Sequence, residues 1–139
     1  MSEKNIAQYD ELLDIYTAVI VSPKGILTSN KQGILPLLEW LETKPDYLED
    51  AYLIDRVIGR AAALLAIKGK IKLIYTKTIS KKAEEVLDNN NLRYKAKNEV
   101  EKILNKTGDD TCPLEKLTSE ITDPEEAYLK LKEFTKQRM

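Results

Sequence analysis

Between Ala51 and Ala96 the chain alternates between β-rich apolar runs and helical ones, and this alternation restricts the fold more than any other feature. Ala51-Tyr52-Leu53-Ile54 reads as a short strand, Asp55 to Arg60 as a turn, and Ala61-Ala62-Ala63-Leu64-Leu65-Ala66-Ile67 as a buried helix closed by Lys68-Gly69. Ile71 to Ile79 reads as a second strand, Lys81 to Leu87 as a second helix ended by Asn89-Asn90-Asn91, and Leu92 to Ala96 as a third strand. Strands separated by helices lie parallel and are joined by right-handed crossovers. The basic run Lys68-Gly69-Lys70-Ile71-Lys72 reads as the solvated end of a helix meeting a strand.

The first part of the chain follows a different pattern. Ile6, Tyr9, Leu12, Leu13 and Tyr16 recur at three and four, the spacing of one buried helix face. Tyr16 to Val21 is β-rich, and Ser22-Pro23-Lys24-Gly25 has Pro and Gly at the second and fourth turn positions, so with Ile26 to Ser29 it predicts an antiparallel hairpin. A helix over Ile34 to Glu42 tolerates Pro36 only in its first turn. A final pair of helices occupies residues 113–138, the second opened by the N-cap and first-turn signature Asp123-Pro124-Glu125-Glu126. The expected fold is α/β: a three-layer α/β/α sandwich on a mixed five-stranded sheet, the hairpin antiparallel and the rest parallel. No repeat or composition break divides the chain, and 139 residues suffice for one self-sufficient core, so residues 1–139 read as a single domain.

Composition removes several chemistries. The chain has no histidine and one cysteine, which rules out Ser-His and Cys-His nucleophile pairs and His-ligated metals and leaves no internal disulfide. Lys and Arg number 22 against 23 Asp and Glu, without a long block of one sign, so nucleic acid is not expected as a partner. No apolar run approaches the length of a membrane span, and Met1-Ser2-Glu3-Lys4-Asn5 lacks the pattern of a signal peptide. Cytoplasmic residence is the default expectation, with no membrane partner.

Two segments carry the candidate site. If Asp55 to Gly59 opens a helix at the end of a strand, its free N–H groups and positive dipole end face the crevice where open α/β sheets bind ligands. Arg56 or Arg60 then adds a fork for phosphate or carboxylate; alternatively Asp55 only caps the helix, Gly59 permits close packing and the arginines face water. The second segment is Asn105-Lys106-Thr107-Gly108-Asp109-Asp110-Thr111-Cys112-Pro113-Leu114-Glu115. Asp110 or Thr111 caps a helix starting near Pro113, and Cys112 is either an inert, partly buried thiol or a reactive one at a helix start. Lys106, Thr107 and Gly108 resemble a phosphate-cradling turn without the spacing of a P-loop.

Gly33-Ile34-Leu35-Pro36-Leu37-Leu38, Asp55 to Leu65 and Asn105 to Glu115 together resemble a small bacterial family of unknown function, domain of unknown function 1893. The resemblance covers essentially the whole chain and implies a cytidine-deaminase-like fold with a ligand pocket. Catalytic members of that broader fold carry His- or Cys-x-Glu at the start of one helix and Pro-Cys-x-x-Cys at the start of the next, because zinc must polarise a water. The matching positions here, Gln32 to Leu35 and Asp55 to Arg60, contain none of the three zinc ligands. No zinc or other cofactor and no metal site is therefore expected, and zinc-dependent deamination is disfavoured.

The leading expectation is a noncatalytic or weakly catalytic module that binds a nucleotide-like or other phosphate-bearing small molecule. Its expected lining is Asp55, Arg56, Gly59, Arg60, Asn105, Lys106, Thr107, Gly108, Thr111 and Cys112. One alternative is a thiol-dependent enzyme or redox sensor with Cys112 as the reacting group. Another is a scaffold or oligomerisation domain, and a homo-oligomer is compatible with either class.

Overall fold

The hairpin at the start of the sheet turns where the sequence places its Pro and Gly. In the computed structural model, which describes residues 6–137, β1 (Ala18–Ser22) pairs with β2 (Gly25–Ser29) through a two-residue Pro23-Lys24 connection, with Ser22 opposite Gly25. Gly25 sits at φ +142°, which an L side chain rarely adopts. Before the hairpin lies α1 (Ile6–Ile15); after it come α2 (Leu35–Thr43) and a short α3 (Pro45–Leu48). Then follow β3 (Tyr52–Ile58), α4 (Arg60–Lys68), β4 (Leu73–Ser80), α5 (Lys81–Asn89), β5 (Arg93–Val100), α6 (Pro113–Thr118) and α7 (Pro124–Gln137).

The five strands form one sheet in the order β2-β1-β3-β4-β5. β1 is antiparallel to both its neighbours, and β3, β4 and β5 are parallel, joined by α4 and α5 as the alternation predicts. α1 covers one face, where Tyr9 and Leu13 pack on Val19, Ile54 and Tyr75. The side chain of Ile6, expected on the same stripe, and the terminal residues lie outside the described side chains. The other face carries the main core, built with α2, α4, α5 and α7. The architecture is a three-layer α/β/α sandwich.

Ala61 to Ala66 are all buried, because α4 packs against α2, α5, α6 and α7 as well as β3. A helix apolar all round is an interior helix, and alanine lets its neighbours approach closely. Among the described residues no helix is long and apolar enough to cross a membrane.

The structure corrects one boundary that matters for the site. The strand expected to stop at Ile54 runs on to Ile58, so Asp55 and Arg56 belong to β3 and do not open a helix. In a regular strand, residues five apart face opposite sides. Yet Leu53 and Ile58 both enter the helix-side core, and so do Ile74 and Ile79 on β4. Both strands therefore jog, and the pairing skips Arg56 and Lys77 in the same row. Paired residues mark the jog: the Arg56 and Val57 N–H groups favour the charged form of the Asp55 carboxyl, and Thr76 Oγ1 accepts the Thr78 N–H at 3.3 Å. Polar side chains there break the apolar alternation, which is why the sequence reads as a turn. β5 likewise extends beyond the expected Ala96, through Lys97-Asn98-Glu99 to Val100, as a mostly exposed edge strand.

Candidate functional site

β4 and β5 run parallel, so their carboxyl ends open on the same side of the sheet, where α/β proteins gather ligands. A cleft of about 470 Å³ lies there, within the range of small-molecule sites. Ser80, the last residue of β4, lines it and is 1 % exposed; its Oγ accepts the Ala83 N–H at 3.2 Å and caps α5. Lys82 enters from the first turn of α5, Lys102 from the segment after β5, and Lys116 from α6. Three cations from three elements thus line one cavity, together with the carboxylates of Glu101 and Glu115.

One wall is the segment between β5 and α6, which carries Lys102. Leu104 and Thr111 form an antiparallel bridge, the Cys112 N–H donates to the Ile103 carbonyl at 2.9 Å, and the Asn105 N–H donates to the Asp110 carbonyl at 2.8 Å. Thr111 and Ser119 contribute hydroxyl-bearing residues and Ile103 contributes apolar surface. Lys116 pairs with Asp110 and holds its carboxyl below the usual range, while Lys81 pairs with Glu101 at 3.1 Å at the edge of the cleft. Among the described residues Lys82 and Lys102 have no ion-pair partner.

The amino end of α4 is arranged differently. Its N-cap is Gly59, which brings no capping side chain, and the Glu115 carboxylate fills the gap. Glu115 Oε1 accepts the Arg60 N–H at 2.6 Å, and Oε2 accepts the Ala61 N–H at 3.0 Å. A Cβ on residue 59 would collide with Glu115 Oε1, so glycine leaves the room this carboxylate occupies. Arg60 is itself buried, its Nε donating to the Thr118 carbonyl at 2.8 Å and its Nη2 to the Ile121 carbonyl at 2.6 Å.

The residues singled out in the sequence are therefore dispersed. Asp55 is buried within β3, where desolvation pushes its carboxyl up to about 8 against the two backbone N–H groups that favour its charge. Arg56 lies on the α1 side of the sheet, its Nε donating to the Leu13 carbonyl at 2.8 Å. Gly59 and Arg60 stand behind the cleft and reach it through Glu115. Asn105, Thr107 and Gly108 form a self-bonded exposed loop: Asn105 Oδ1 accepts the Gly108 N–H at 2.9 Å, and Thr107 Oγ1 donates to Asp109 Oδ1 at 2.6 Å. The Thr107 hydroxyl, and after it Asn105 Nδ2 donating to the same Asp109 Oδ1 at 2.9 Å, lower the Asp109 pKa. Lys106 is exposed in the same loop.

Thr111 alone of the expected set lines the cleft. Cys112 is partly buried beside it as the N-cap of α6, without a side-chain capping bond. Among the described residues no group of three His, Cys, Asp or Glu side chains is placed to hold a metal ion. Ser80, Lys82, Lys102, Glu115, Lys116 and Ser119 were not legible as a group. The one local signal is Ser80-Lys81-Lys82, a capping residue and two cations directly after a strand.

A search of curated proteins finds no match. The crystal structure of a DUF1893 family protein from Thermotoga maritima is similar to this chain at 29 % sequence identity and a TM-score of 0.83, over 96 % of this chain and 92 % of that one. The family model for DUF1893, a domain of unknown function, matches residues 12–135. That span takes in all five strands and every residue of the cleft described above, and the chain belongs to the DUF1893 family.

Proposed function

We propose that this protein binds a small phosphate-bearing ligand, nucleotide-like compounds included, in the cleft at the carboxyl ends of β4 and β5. The observation that carries the reading is the convergence of Lys82, Lys102 and Lys116 on a cavity that also borders the capped amino end of α5. A helix start supplies N–H donors and a positive dipole end, and lysine supplies point charges that suit phosphate oxygens. The relationship to a zinc-less deaminase-like fold belongs to this proposal. It is supported by the element order and by the lack of His or a second Cys in the sequence. Binding is proposed without a reaction. Cys112 stands beside the wall of the cleft, so a thiol reaction would use the same opening, but the sequence has no histidine to serve as its base.

Calorimetric titration of the full chain with inorganic phosphate, pyrophosphate and nucleoside phosphates tests the reading. Saturable binding that weakens with added salt and falls about tenfold or more in Lys82→Ala and Lys102→Ala supports it. An absence of saturable binding to all of these compounds refutes it.

A further inference from the structure

α6 has six residues, too few for its own hydrogen bonds to hold it in place. Even so, it carries Glu115 and Lys116 of the cleft wall, and Thr111 and Ser119 flank it. Its position must come from tertiary contacts, and four hydrogen bonds tie it and the segment just after it to the start of α4. The Glu115 carboxylate accepts the Arg60 and Ala61 N–H groups at 2.6 and 3.0 Å. In return, the Arg60 side chain donates to the Thr118 and Ile121 carbonyls at 2.8 and 2.6 Å. The ties bracket the wall: Glu115 directly precedes Lys116, and Thr118 and Ile121 stand on either side of Ser119. Charged groups hydrogen-bonded in a buried setting fix geometry more firmly than exposed pairs do.

We infer that Gly59, Arg60 and Glu115 form a latch that positions α6, and with it Lys116 and Ser119, for ligand binding in the cleft. This rests on the reading of that cleft as a phosphate site. Gly59 and Arg60 are positioning residues: they act on the wall from behind, and Gly59 does so by lacking a side chain.

Gly59→Ala is the selective probe. The backbone at residue 59, φ −100° and ψ −175°, is open to alanine, and the atoms nearest the new methyl are those of the Glu115 carboxylate, the end of a flexible side chain. Hydrogen exchange of the α6 amides, measured without ligand, and titration with inorganic phosphate and pyrophosphate are compared in wild type, Gly59→Ala and Glu115→Gln. The latch predicts α6 exchange accelerated at least about tenfold and anion affinity reduced about tenfold in Gly59→Ala, with circular dichroism unchanged. Glu115→Gln, which keeps the shape and one acceptor, falls between the two. Unchanged α6 exchange overturns the latch, and faster exchange with unchanged affinity overturns its role in positioning the cleft. A wild-type protein that binds neither anion overturns the cleft reading and this inference with it, whereas binding that survives both substitutions overturns the inference alone.

Discussion

The amino ends of α4 and α5 occupy equivalent places on adjacent strands and are finished in opposite ways. Ile58 pairs with Ile79, so Gly59 and Ser80 are the corresponding next residues, and each is the N-cap of the helix that follows. Ser80 caps α5 with its own hydroxyl and leaves the mouth of that helix beside an open cleft. Gly59 has nothing to offer, and a carboxylate 55 positions beyond Arg60 in sequence fills its place. A helix start that a protein carboxylate already satisfies is a structural joint, whereas one satisfied by a short local cap stays available to a ligand. The strands beneath show the same contrast, with Asp55 opposite Thr76 at the jog, an acid under the α4 end and a hydroxyl under the α5 end.

The largest effect is expected where the joint is broken outright. Glu115→Ala leaves two buried N–H groups without acceptors and should destabilise the fold by about 2–4 kcal/mol, read as a lowered urea midpoint. A loss below about 0.5 kcal/mol would mean that α4 does not depend on this carboxylate.

Asp55→Asn makes the two jogs more alike and should act through pH. Burial raises the Asp55 pKa from 3.8 to about 8, so between those values the folded state holds a proton that the unfolded state releases. Stability from this group is therefore full below about pH 4, declines by at most about 1.4 kcal/mol per pH unit as pH rises toward 8, and is flat above that. Asp55→Asn should remove this decline and be more stable than wild type by at least about 1 kcal/mol at pH 8, with little difference at pH 4. Parallel stability–pH curves for the two proteins would contradict the assignment.

Ser80→Ala should cost about 1 kcal/mol, the ordinary value of a lost N-cap and well below the cost at Glu115. An equal cost at both positions would erase the contrast between the two helix ends. Smallest in stability is Lys82→Ala, expected within about 0.5 kcal/mol of wild type by thermal denaturation, because its cation has no ion-pair partner among the described residues. A large stability change there would indicate a structural lysine.

The sequence carried the hairpin, the parallel units and α7 plainly, because Pro23 and Gly25, the strand–helix alternation and Asp123-Pro124 act through local chemistry. The jog was hidden, since Asp55-Arg56 in an apolar strand looks like its end. The site was hidden for a related reason. Lys82, Lys102 and Lys116 lie far apart in the chain, and each alone resembles a solvated surface lysine. The helix start that did draw attention, at Arg60, has the geometry of an anion site, but the anion comes from Glu115, which no local pattern connects to it.

Amide NMR spectra recorded during titration with inorganic phosphate and pyrophosphate test the central contrast most directly. Saturable shifts at Lys81, Lys82, Lys102 and Lys116, with the Arg60 and Ala61 amides moving little, are the predicted result. Shifts centred on Arg60 and Ala61, or none at the start of α5, would contradict the account.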